Sequence, residues 1–211
     1  MIDKRVYELD YIRGLQQKYA SDPGLIERAL YAFGLLEAIK SVGMPFCFKG
    51  GTSLMLILDK PARLSTDIDI LVEPGTDVDG YIEKASRIFP FLNKKEDIRK
   101  SKNGIVKRHF RFTYFSPLRN TEFYILLDVV FAHLPYAKTI QKEIRNDLLL
   151  TEGKNLFVEV PTADCISKQP HNMLYLFSDP VQLLFCFVCP SASAENQIIQ
   201  RNVKIVRKLY K

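Results

Sequence analysis

Gly50-Gly51-Thr52-Ser53 lies between a short apolar stretch, Pro45 to Lys49, and an apolar run, Leu54 to Leu58. Two glycines at a strand-to-helix junction let the backbone approach a ligand closely. The helix N-terminus behind them offers free N–H groups and the positive end of a dipole, so with the Thr52 and Ser53 hydroxyls the segment predicts a phosphate site. It is not a Walker loop, because no G-x-x-x-x-G-K-S/T is present. Further along, Asp67 and Asp69 alternate with Ile68 and Ile70. In a strand of period two both aspartates share one face and both isoleucines the other. Two carboxylates that close repel unless a positive charge sits between them, and a hard divalent cation such as Mg²⁺ answers that need. Asp128 stands alone in an otherwise apolar segment, Phe123 to Phe131, where an unpaired carboxylate is costly to bury. A phosphate cradle, a D-x-D strand and a third, distant aspartate form the set that metal-assisted nucleotidyl transfer requires. One or two Mg²⁺ ions would activate an attacking hydroxyl and hold the triphosphate.

The elements that must position these residues read as follows. Ile2, Val6, Leu9, Ile12, Leu15 and Tyr19 have helical spacing up to about Tyr19. Asp22, with Pro23 behind it, restarts a helix as N-cap and first helical residue. Its apolar stripe runs Ile26, Ala29, Leu30, Phe33, Leu36, and Gly43 and Pro45 end it. Pro45 to Lys49 predicts a buried strand, Thr52 to Leu58 a helix, Thr66 to Val72 a strand and Asp79 to Phe89 a helix. A basic loop is expected next. Val106 to Phe115 and Glu122 to Phe131 then read as a hairpin around Ser116 to Asn120. Phe110, Phe112 and Tyr114 read as core. Asn155 to Val160 predicts a further strand, ended by Pro161, and Ile199, Val203, Val206 and Tyr210 regain helical spacing. His109, beside Arg108, reads as a surface histidine, and His133 lies past the end of its strand; no Ser–His–Asp triad is arguable.

The chain has 211 residues, 47% hydrophobic and 26% charged, which is ordinary globular composition and one domain's worth of length. That excludes collagen-like and wholly disordered chains. The longest apolar run, Val181 to Cys189, is about half the roughly 20 residues a membrane span needs. Met1 to Arg5 has no apolar signal region, so the cytoplasm and no membrane partner are expected. Cys186-Phe187-Val188-Cys189 is formally C-x-x-C, but no second pair exists, and buried free thiols are the expected reading. The net charge is +6. Part of the excess lies in Lys94 to Arg111 and part in Glu195 to Lys211, two segments that could attract a polyanion such as RNA.

Lys49-Gly50-Gly51-Thr52-Ser53-Leu54, followed by Arg63-Leu64-Ser65-Thr66-Asp67-Ile68-Asp69-Ile70, resembles the G-G-T-x-L…R-x-S-x-D-I-D-L signature of the AbiEii/AbiGii toxin family. These are nucleotidyltransferases of the DNA polymerase β superfamily, found as toxins of bacterial toxin–antitoxin and abortive-infection systems. The resemblance covers roughly Ser21 to Asp164. It implies an α/β (α+β) nucleotidyltransferase fold: a small mixed β-sheet flanked by helices, with N-terminal helices and a helical C-terminal tail. It implies Asp67 and Asp69 as metal ligands and Asp128 as the third carboxylate. It implies Gly50, Gly51, Thr52 and Ser53 as triphosphate contacts and Arg63 and Ser65 as nucleotide or loop-shaping contacts. NTP, a tRNA or other RNA acceptor bound along Lys94 to Arg111, and a cognate antitoxin are the partners implied.

The likeness departs after Asp164. Lys168 stands near the family's expected nucleotide-binding lysine, but Pro170 would cut that helix short, and no downstream arginine–aspartate pair follows. Residues 1–165 are therefore expected to form the core. Residues 166–211 would be an atypical C-terminal segment, as a truncated or frame-shifted gene would leave. Two alternatives follow: a small-molecule nucleotidyltransferase of the antibiotic-modifying kind, or a catalytically degenerate module that binds nucleotide or a partner.

Overall fold

The computed structural model describes residues 1–58, 64–97 and 106–162. Arg63, Lys168, the central part of the basic segment and the whole segment 166–211 lie outside the described residues.

The N-terminal helical spacing is realised in two pieces. A short 3-10 helix, Lys4–Tyr7, is capped by Asp3, whose carboxylate accepts from the Arg5 N–H. Helix α1, Leu9–Tyr19, begins after Glu8 turns extended. Helix α2, Pro23–Ser41, starts where Asp22 and Pro23 predict. The Asp22 carboxylate accepts from the Leu25 N–H at 2.9 Å, satisfying one of the first-turn donors that a helix leaves open. This helix is apolar on nearly every side, and it is buried on nearly every side: α1 and α4 pack against it, and it lies on β2 and β5.

Strand β1, Cys47–Lys49, runs straight into helix α3, Gly50–Ile57. Strand β2 is Ile68–Val72, so Asp69 lies inside it and Asp67 immediately before it. Helix α4, Asp79–Ala85, is shorter than its apolar spacing suggests. Strands β3 (Phe91–Asp97), β4 (Val106–Ser116), β5 (Thr121–Phe131), β6 (Thr139–Glu143) and β7 (Phe157–Pro161) complete the set. Two of these correct the sequence reading. Phe91–Asp97 is strand where a basic loop is expected to begin, and Thr139–Glu143 was not foreseen at all.

The seven strands form one mixed sheet in the order β3-β4-β5-β2-β1-β7-β6. The pairs β2–β5 and β1–β7 are parallel and the rest antiparallel. One face of the sheet carries Ile68, Ile70, Phe110, Phe112, Tyr114, Leu127 and Val129, all fully buried in a common core with α2. The expected core role of Phe110, Phe112 and Tyr114 is thus realised. The period-two rule sends the residues between them to the other face. The architecture matches the expected fold class, a mixed sheet flanked by helices.

Candidate functional site

The second face of the sheet carries the chemistry. Across β1, β2, β5, β4 and β3 the register places Lys49 opposite Asp69, Asp69 opposite Asp128, Asp128 opposite His109 and His109 opposite Asp97. Registered neighbours project to the same side, so these five residues form one row perpendicular to the strands. Neighbouring strands lie about 4.8 Å apart. The row therefore gathers residues from five strands within a span of about 19 Å.

Four of the five are withdrawn from solvent: Lys49 is 1% exposed, Asp69 2%, Asp128 7% and His109 8%. Two adjacent carboxylates at that depth need partners, and the row sets the Lys49 ammonium on one flank and the His109 imidazole on the other. Lys49 Nζ lies 3.7 Å from Asp69 Oδ1. His109 Nδ1 lies 2.6 Å from Asp128 Oδ1. Burial pushes the Lys49 ammonium below its ordinary value, while the charges of Asp69 and Asp128 pull it back up. Among the described residues no group of three or more His, Cys, Asp and Glu side chains is already gathered as around a metal ion. Asp67 Oδ1 is turned to Arg28 Nη2 at 3.4 Å, and Asp128 Oδ1 to the histidine.

The glycines close over this row. Gly50 has φ +79°, and a Cβ built on it would collide with the Asp69 carboxylate, 2.8 Å from its Cγ. Only glycine permits both the left-handed turn and that close approach. The Thr52 hydroxyl donates to the Asp67 carbonyl at 2.6 Å, tying α3 to the residue before β2. The Ser53 hydroxyl donates to the Gly50 carbonyl at 2.8 Å. Both hydroxyls are buried and donate to main-chain carbonyls. Ser65 offers its backbone N–H to Met55 Sδ at 3.4 Å.

Three participants escaped the sequence reading. His109 is not a surface residue: it is buried against Asp128, because β4 pairs with β5 in the one register that sets them side by side. Lys49 belongs to the quoted motif, but its burial beside Asp69 shows only in the structure. Arg28 reaches Asp67 from α2, an element remote in sequence. The one available signal was the alternation of β4, which already put His109 on the face away from Phe110. His133, by contrast, lies past the end of β5, exposed and bonded to Glu73, as expected.

The basic segment is less basic in space than in sequence. Lys94 Nζ lies 3.6 Å from Glu83, Arg108 pairs with both Asp79 and Glu96 at 2.7 Å, and Arg111 with Asp97 at 2.7 Å.

Residues 35–165, more than half of the chain and the part that spans every element of the row, match the family described as nucleotidyl transferase AbiEii toxin, type IV toxin–antitoxin system. The chain belongs to the AbiEii nucleotidyltransferase toxin family. A type IV toxin family implies a cognate antitoxin. No match was found among curated proteins. Three solved structures are similar at low identity. A candidate nucleotidyltransferase from H. pylori is 14% identical, with TM-score 0.45, over 87% of this chain and 98% of that one. JHP933 from Helicobacter pylori is 15% identical, with TM-score 0.43, over 87% and 95%. An antigenic nucleotidyltransferase-like protein from Paracoccidioides brasiliensis is 15% identical, with TM-score 0.44, over 87% and 76%. Among the described residues no helix is long and apolar enough to cross a membrane.

Proposed function

We propose that this AbiEii-family chain transfers a nucleoside monophosphate from an NTP to an acceptor hydroxyl on RNA, tRNA being the first candidate, as the toxin of its system. The observation that carries the reading is the side-by-side registration of Asp69 and Asp128 on parallel strands, beneath the Gly50 turn.

The donor set fits Mg²⁺: Asp67, Asp69 and Asp128 offer hard carboxylate oxygens, the ligands this ion takes together with substrate phosphates. When bound, Mg²⁺ would supply charge neutralisation for the triphosphate and the departing pyrophosphate. The residues of the chain do the rest. Backbone N–H groups of the Gly50-Gly51 turn and the first turn of α3 would hold phosphate oxygens. Arg28 would exchange Asp67 for a phosphate oxygen, releasing that carboxylate to the ion. Asp128 would accept the proton of the acceptor hydroxyl. Lys49 would place its positive charge beside Asp69, next to the carboxylate pair. Arg63 and Lys168 would complete the nucleotide contacts, as the family pattern suggests.

The test is incubation of the full chain with each labelled NTP, Mg²⁺ and total tRNA, beside D67A/D69A. Label entering RNA only with the intact aspartates is the expected result. Equal labelling by the double mutant would sink the assignment. Binding of NTP and Mg²⁺ without turnover, read as a raised melting temperature, would favour the degenerate module.

A small-molecule acceptor is the second reading, and one observation favours it: carboxylates already neutralise Lys94, Arg108 and Arg111. Salt separates the two. An RNA acceptor held by phosphate contacts loses affinity linearly with log salt, at a slope of roughly −0.7 per phosphate on single strands. A small-molecule acceptor leaves RNA binding weak at every salt concentration.

A further inference from the structure

His109 is the one member of the buried row that the proposed chemistry leaves without a task. Its nearest partner is Asp128, with Nδ1 to Oδ1 at 2.6 Å, inside a sheet where both side chains are buried. As a ligand for a cation Asp128 would be a carboxylate that can only accept, and the donor in this bond would then be Nδ1. The bond joins adjacent strands in register, so the two side chains face one another across the β4–β5 pairing. On the other side of His109, Asp97 is held by Arg111 Nε at 2.7 Å, which fixes the outer end of the row.

A carboxylate has two oxygens that differ only in what surrounds them. Here the surroundings make them unequal. Oδ1 is engaged by His109 at short range, and among the described residues Oδ2 has no hydrogen-bond partner. We propose that His109 is a positioning residue for the transfer site: it fixes the orientation of Asp128 and dedicates Oδ2 to the metal ion or the acceptor hydroxyl, so that Asp128 engages through a single oxygen. This rests on the function proposed above and adds to it a residue that acts only through another. Outer partners of ligating carboxylates orient them, and their loss typically lowers metal affinity or activity about 10- to 100-fold.

Asparagine and glutamine distinguish orientation from bulk. The Asn amide nitrogen occupies nearly the place of His Nδ1, whereas the Gln amide reaches toward the place of Nε2. The experiment uses the full chain and three variants, H109L, H109N and H109Q, with D69N as a control for the site itself. Folding of each is checked by its melting temperature. Two quantities are read: Mn²⁺ affinity by electron paramagnetic resonance without nucleotide, and kcat with KM for the NTP.

H109L and H109Q are expected to lose about 10- to 100-fold in Mn²⁺ affinity and in kcat, with KM for the NTP little changed. H109N is expected to recover most of both. Unchanged Mn²⁺ affinity and kcat in H109L, with D69N inactive, would overturn the inference and leave the proposed function standing. H109N as defective as H109L would also overturn it, since packing and not the Nδ1 donor would then be what matters. A wild-type chain that neither binds Mn²⁺ nor transfers, or a D69N chain that does both as well as wild type, would overturn the proposed function and this inference with it.

Discussion

Lys49 and Asp69 are a buried pair whose members need one another. Removing one partner of such a pair leaves the other charged in a medium that solvates it poorly, at a typical cost of about 3–5 kcal/mol. K49M and D69N are each expected to destabilise the fold by that order, and the double variant by clearly less than the sum. A urea double-mutant cycle reads the difference; strict additivity would mean that the 3.7 Å approach carries no coupling. Cys47, on the same face, is the chemically quiet counterpart. Burial and the nearby Glu159 carboxylate push its thiol up to about 12, so almost none is thiolate near neutral pH. Iodoacetamide at pH 8 should leave Cys47 unmodified in the native chain and alkylate it in urea, as peptide mass mapping would show. At this scale the sequence exposes Asp69 and Asp128, because carboxylates in apolar strands are costly and rare. It hides His109 and Lys49, because ordinary residue types become buried functional groups only through strand partners remote in the chain.

Elements were legible in proportion to how much apolar surface they bury. Helix α2 announces itself through Asp22, Pro23 and its apolar stripe, and β5 through its unbroken apolar run. The two strands misread or missed, β3 and β6, are the two edges of the sheet. An edge strand meets solvent along one side, and natural edges carry charge as protection against pairing with other chains. In Leu92 to Asp97 and Thr139 to Glu143 that protection erases the apolar alternation by which a strand is recognised. One element contact allows a direct prediction. Glu27 of α2 is buried where the β4–β5 turn arrives, and accepts from the Tyr114 hydroxyl and the Ser116 hydroxyl at 3.0 Å and from the Leu118 N–H at 3.3 Å. E27A leaves those donors unsatisfied and should cost at least about 1–3 kcal/mol. Chemical denaturation measures it; a loss below about 0.5 kcal/mol, the size of an ordinary surface change, would mean that the turn re-pairs with water.

For the molecule as a whole, charge is a poor guide to surface until its pairing is known. The chain carries a net +6, yet α4, β3 and β4 bind their own lysine and arginines into ion pairs that close on themselves. K95E/K107E, which alters basic residues of that segment with no carboxylate partner among the described residues, should flatten the salt dependence of any RNA binding. A filter-binding series over salt concentration would test it, and an unchanged slope would move the RNA surface elsewhere on the molecule.

The sheet order also governs when the site comes into existence. Strand β2 sits between β1, its antiparallel neighbour, and β5, which reaches it only after the β3–β4 excursion is complete. During synthesis Lys49 and Asp69 are made early, but the partner strand that brings Asp128 and aligns His109 is the fifth of seven. Until then β2 has an open edge and the carboxylate row has a gap. Such long-range parallel pairing is slow and tends to form late. A chain interrupted before Thr121 would carry the glycine turn and the first two aspartates and lack Asp128. The same topology that builds the row withholds it until five of the seven strands are in place.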